Sequence, residues 1–112
     1  MNRIDPATYQ AVCQFKEKIL LRYRDAVIIL FGSRARQTHH PESDADVAVL
    51  LPGPKSDYLT TKLAMSDIAF DLLLKTGIRI SPLPIWLEEW DHPEHYSNPA
   101  LLHNIAREGI RI

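Results

Sequence analysis

Two short runs of uninterrupted apolar residues, 26–31 and 47–51, set the tightest limit on what this chain can fold into. The first is short, rich in β-branched residues and apolar throughout, which marks a central strand covered on both faces. The second belongs to a strand that starts at Asp44 with a period of two, Asp44, Asp46, Ala48 and Leu50 facing one way and Ala45, Val47, Val49 and Leu51 the other, so that one face is core and the other begins with two acids. Such strands need helices packed against them, and the flanking sequence provides helices. Asp5-Pro6 reads as an N-cap followed by a proline at the first helical position, and Tyr9, Val12, Cys13, Ile19, Leu20 and Tyr23 follow at helical spacing, predicting a helix over 6–24. After the turn Pro52-Gly53-Pro54, Ser56 or Asp57 caps a second long helix that runs to Thr76, with Met65, Ile68, Ala69, Leu72 and Leu73 inward and Gly77 as its stop. Residues 78–85 read as a third strand, placed at a sheet edge by Pro82 and Pro84. Residues 86–97 read as irregular and aromatic. Asn98-Pro99 opens a last helix with Leu101, Leu102, Ile105 and Ala106 inward, and residues 110–112 suit a final strand. The order predicts an α/β (α+β) fold, a small mixed β-sheet with helices packed against it.

The 112 residues amount to one domain, expected over 1–112. Thirteen basic and fourteen acidic side chains leave a net charge of −1, which excludes an all-over electrostatic grip on nucleic acid or anionic lipid, so no direct nucleic-acid binding is expected and any anion site must be local. No apolar run approaches the roughly 20 residues of a membrane span. The single cysteine, Cys13, allows no internal disulfide and is expected to pack in the core of a cytoplasmic protein.

Chemistry concentrates where the two strands meet the loop between them. Gly32-Ser33 ends the first run, and Asp44-Ala45-Asp46 opens the second. Carboxylates at i and i+2 on a strand leave the same face with Cα atoms about 6 to 7 Å apart, close enough to share a cation. Mg²⁺ takes hard oxygen ligands and is commonly held by one or two carboxylates with substrate phosphates completing its shell. Gly32 permits close backbone approach to a ligand, Ser33 offers a hydroxyl, and Arg34 and Arg36 add charge suited to phosphate. By average composition, the four fixed residues at this spacing arise by chance in roughly one chain in a thousand. His39 and His40 lie in the intervening loop. His92 and His95, with Glu94 between them, lack a third ligand at zinc spacing. Trp86, Trp90 and Tyr96 read as lids on a small core.

Residues 31–36, Phe-Gly-Ser-Arg-Ala-Arg, followed by 43–49, Ser-Asp-Ala-Asp-Val-Ala-Val, resemble the signature of the nucleotidyltransferase superfamily of DNA polymerase β, specifically its minimal nucleotidyltransferase branch. The resemblance implies a polymerase-β-like core in which the turn at Gly32 and Ser33 binds the triphosphate of ATP and Asp44 and Asp46 hold Mg²⁺. It also implies transfer of AMP to a hydroxyl of a helical HEPN-type ribonuclease toxin, with this chain as the antitoxin. An alternative is a binding module that neutralises such a toxin by occlusion. A small-molecule nucleotidyltransferase is less expected, and a homo-oligomer is left open. Two positions depart from the family pattern. Gln37 stands where a glycine is usual, and residues 78–82, Ile-Arg-Ile-Ser-Pro, carry no acid where a third carboxylate is usual. Ser81 or Arg79 falls near that place; Asp67 and Asp71 are possible substitutes from the second helix, and Glu88 and Glu89 weaker ones.

Overall fold

The computed structural model describes residues 4–112; residues 1–3 lie outside it. Helix α1, Pro6–Arg22, begins as expected, with the Asp5 side chain accepting from the Thr8 amide at 3.1 Å. Its inner stripe is rotated from the predicted one. Thr8, Ala11, Val12, Phe15 and Ile19 are buried, whereas Tyr9 is exposed and Cys13 only half-buried. The step 8-11-12-15-19 holds the helical period, and Phe15, which the sequence reading missed, is fully buried at its centre.

Strand β1, Val27–Phe31, runs into the four-residue helix α2, Ser33–Arg36. Strand β2, Ala45–Leu51, returns antiparallel to β1, pairing Phe31 with Asp46 and Val27 with Leu50. Asp44 lies one residue before β2. Helix α3, Tyr58–Thr76, is capped by Asp57, which accepts from the Thr60 amide at 2.8 Å, and is closed by Gly77 at φ +76°. It carries the chain to β3, Ile80–Trp86, parallel to β2 in the register Asp46↔Ser81.

The sheet order is β3-β2-β1-β4, so the proline-bearing strand does lie at an edge. There the Pro82 carbonyl accepts from Lys62 Nζ at 3.1 Å in place of a partner strand. Residues 86–97 are more ordered than expected, forming α4, Leu87–Asp91, and a 3₁₀ turn, Pro93–His95. Helix α5, Pro99–Glu108, buries Leu102 and Ile105 but leaves Ala106 exposed, and β4, Ile110–Arg111, pairs antiparallel with β1.

Both sheet faces are covered, as the first apolar run requires, and β2 is buried on both faces beyond Asp46, more than its alternating pattern predicted. Helices α1 and α3 close the larger core around Phe15, Leu30, Val47, Val49, Met65 and Leu72. Helix α5 and the aromatic segment close a smaller one around Ile29, Ala48, Leu50, Ile85, Leu102 and Ile105, with Trp90 and Tyr96 at its rim. The face of β2 that begins with acids therefore continues into this second core. Asp46, Ala48 and Leu50 follow one another along it.

Candidate active site

The hairpin from β1 to β2 gathers the glycine-serine turn and the two carboxylates at one end of the sheet. Gly32 has φ +76°, a conformation that other residues adopt at a cost, and a Cβ placed there would fall on the Asp46 carboxylate. Asp46 thus lies against the backbone that opens α2. The group that approaches this glycine is the protein's own carboxylate.

Asp46 is half-buried and Asp44 exposed. Burial first, and then the neighbouring Asp44 charge, push the Asp46 carboxyl above its ordinary range, while Arg36 pulls it back. The charged pair is therefore unfavourable by itself, the state that a divalent cation relieves. Hard oxygen donors, mutual repulsion and a glycine-backed carboxylate all fit Mg²⁺. Among the described residues no group of three or more metal-ligating side chains converges, so the set stays at two.

The two arginines of the turn, alike in sequence, have separate fates. Arg34 is buried, and its guanidinium donates from Nη1 to Thr8 Oγ1 at 2.7 Å, from Nε to the Ser43 carbonyl at 2.9 Å and from Nη2 to the Pro41 carbonyl at 3.1 Å. It fastens the loop just before Asp44 to the start of α1, so its donors face protein and not a phosphate. Thr8 is the residue that sequence reasoning missed here. It also donates to Asp5 Oδ2 at 3.0 Å, which leaves its oxygen placed to accept from Arg34. Arg36, by contrast, is exposed and pairs with Glu108 at 3.2 Å. Glu108, at the end of α5, reaches the turn because β4 pairs with the end of β1, a connection with no local sequence signal. Gln37 sits at φ +59°, a left-handed conformation that a glycine adopts without strain.

On the other flank, the register resolves the third position. Ser81 is the direct partner of Asp46 and shares its face, whereas Arg79 precedes β3 and accepts the Ala45 amide through its carbonyl at 2.8 Å. Asp67 and Asp71 are exposed on α3 and lie outside the cleft beside Ser81. Glu88 and Glu89 engage Lys55 at the far end of β3, where Trp86 pairs with Leu51. His39 lines a hollow beside Asp5 and Arg34, while His92 stacks on His95 with centroids 5.6 Å apart and meets Glu94 at 3.3 Å. No helix among the described residues is long and apolar enough to cross a membrane.

The mixed four-stranded sheet thus sets a glycine-serine turn against an Asp-x-Asp at the head of β2, Asp44 just before the strand and Asp46 within it, the arrangement expected of a protein of the nucleotidyl-transfer class. The chain belongs to the Nucleotidyltransferase domain family, whose model matches residues 12–95. Among solved structures, a Sulfolobus solfataricus protein described as a candidate nucleotidyltransferase is similar over 81% of this chain and 83% of its own, with 18% identity and a TM-score of 0.49. No curated protein matches the chain.

Proposed function

We infer that this nucleotidyltransferase works with Mg²⁺ and takes AMP from ATP, Asp44 and Asp46 holding the metal and the Gly32–Ser33 turn receiving the β- and γ-phosphates. The observation that carries the reading is the Asp46 carboxylate lying against Gly32, with the charge of Asp44 acting on it. A triphosphate seated on the turn then meets the carboxylate pair at once. Bound there, Mg²⁺ supplies charge neutralisation of the transferred phosphoryl group. The Ser33 hydroxyl donates to a terminal phosphate oxygen, and Arg36, kept near Asp46 and steadied by Glu108, offsets charge on the leaving pyrophosphate. Arg34 acts as a positioning residue by fixing the Pro41 and Ser43 carbonyls ahead of Asp44.

The family resemblance extends the reading to an antitoxin whose partner is a helical HEPN-type toxin that receives the AMP. Calorimetry of ATP with Mg²⁺ tests the first level, and saturable uptake that Asp44→Ala and Asp46→Ala abolish is expected. Unaltered uptake in both variants refutes it. Incubating α-labelled ATP, Mg²⁺ and the candidate toxin tests the second level by label on the toxin.

Occlusion without chemistry is the second reading, favoured by one observation, the serine in register with Asp46 where a third carboxylate is usual. Protection from the toxin by the Asp44→Asn, Asp46→Asn double variant, equal to that by the parent chain, would establish it.

A further inference from the structure

Strand order divides the site in two. The carboxylates stand at the start of β2, the Gly32–Ser33 turn lies on the β1 side, and β3 lies on the other. Phosphoryl and nucleotidyl transfers run with entering and leaving oxygens roughly in line. With the pyrophosphate leaving on the β1 side, the acceptor enters from the β3 side. There the structure has a cleft of about 430 Å³ between α3 and β3, lined by Asp44, Lys62, Ser66, Phe70, Arg79 and Ser81 among others. That volume is in the range of small-molecule sites, roughly 300–1,000 Å³.

The chemistry of the lining is unusual for a hydroxyl acceptor. A hydroxyl must lose its proton as it attacks, and a general base within reach takes it. Asp44 is the only acid of the cleft and belongs to the metal pair, while Ser81, the partner of Asp46, is neutral. What the cleft offers instead is positive charge and hydroxyls. Lys62 spends one of its three N–H donors on the Pro82 carbonyl, which leaves two. Arg79 is exposed, with no side-chain hydrogen bond or ion pair among the described residues.

We propose that this cleft binds the acceptor and that the accepting atom is an oxygen already ionised, that of a phosphate monoester held by Lys62 and Arg79. The proposal rests on the nucleotidyl-transfer reading above and replaces the hydroxyl that the resemblance implies. A monoester has its second pKa near about 6 and is largely dianionic at neutral pH, so no base is needed. One of its oxygens forms a bond to the α-phosphorus of the nucleotide as the bond from that phosphorus to the α–β bridging oxygen breaks. The products are a diphosphate-linked nucleotidyl ester and pyrophosphate, with no net proton transfer and no redox change. Ser66 and Ser81 donate to the remaining oxygens, and the apolar lining, with Ala69 and Ile80 buried beneath and Phe70 exposed at the side, takes the body of the acceptor.

The test uses the full chain and two carriers of the same group, phenyl phosphate and a phosphotyrosine peptide, with benzyl alcohol as the hydroxyl control. Calorimetry without nucleotide should show at least one phosphate carrier binding, about tenfold or more weaker in Arg79→Gln and in Lys62→Met, with ATP–Mg²⁺ affinity unchanged in both variants. Which carrier binds identifies the source, a free small molecule or a modified protein. With α-labelled ATP and Mg²⁺, label should appear on the phosphate carrier that binds and not on benzyl alcohol. Neither carrier binding, equal binding by both variants, or labelled benzyl alcohol overturns the proposal. So does a loss of ATP affinity in Arg79→Gln, which would place that guanidinium on the donor side. If ATP binds and no phosphate carrier does, the acceptor class fails while the nucleotidyl-transfer reading stands; if ATP does not bind, both fail.

Discussion

On its β1 flank, β2 meets a turn fixed from several directions; on its β3 flank, it meets an open cleft. The first holds a positive-φ glycine against Asp46, a buried arginine with three protein partners and an ion pair from the end of α5. The second holds a neutral serine and two cations at an unpaired sheet edge, one of them exposed. On the proposed reading, the flank that receives the nucleotide must reproduce one geometry for one ligand, which its interlocked contacts suit, whereas the flank proposed for the acceptor can vary with the acceptor. Opposite Asp46 stands the neutral Ser81, and positive charge comes from Lys62 and Arg79 beside it.

That contrast can be broken by substitution. Asp46→Ala should abolish ATP–Mg²⁺ uptake and reduce nucleotidyl transfer by more than about a hundredfold, since it removes a group aimed at charge in the transition state. Its melting temperature should hold or rise, because the variant also removes the repulsion with Asp44. A melting temperature that falls steeply would show Asp46 to be a structural residue. Arg34→Met should do the reverse. Leaving Thr8 Oγ1 and two loop carbonyls without their buried charged donor should lower stability by about 3 kcal/mol, read by denaturant titration. Arg36→Ala, at an exposed pair, should leave the denaturation midpoint where it is and weaken only nucleotide binding. Equal loss of stability in the two arginine variants would erase the distinction between them.

Gly32→Ala sharpens the comparison at its centre. A Cβ there displaces the Asp46 carboxylate and forces a strained φ, at about 1–3 kcal/mol, so metal-dependent nucleotide affinity should drop while the far cleft still binds its phosphate probe. The smallest effect is in pH. Because the folded Asp46 carboxyl sits above its unfolded value, the metal-free fold binds more protons than the unfolded chain in the interval between the two values. Stability should therefore decline as pH rises from the ordinary carboxylate range through the raised Asp46 value. Added Mg²⁺ should raise the melting temperature above that interval and have little effect below it, where the carboxylate is protonated. Thermal melts with and without Mg²⁺ across pH 3 to 7 check both halves, and an Asp46→Asn variant should flatten the curve.

Much of this was legible in the chain. The caps at Asp5, Asp57 and Asn98, the stop at Gly77 and the edge placement of the proline strand all follow from local rules, whereas the register that brings Asp46 against Gly32 came only with the strand pairing. Helix α1 shows the limit of periodicity: Tyr9 and Phe15 are both aromatic, and only packing decided that the second goes inside. The order in residues 86–97 was hidden for a related reason, since α4 is short and gains its stability from the second core.

Sequence alone determined the order of the three long helices and the strands between them, the two-sided burial of β1, and the nearness in sequence of Asp44 and Asp46, because each depends on neighbours within a few positions. The tertiary structure alone decided that Arg34 faces protein while Arg36 faces Glu108, that Ser81 rather than Arg79 stands beside Asp46, and that Lys62 joins Arg79 at one cleft. Those outcomes hang on contacts between residues 17 to 72 positions apart, which strand pairing and helix packing create and no local pattern encodes.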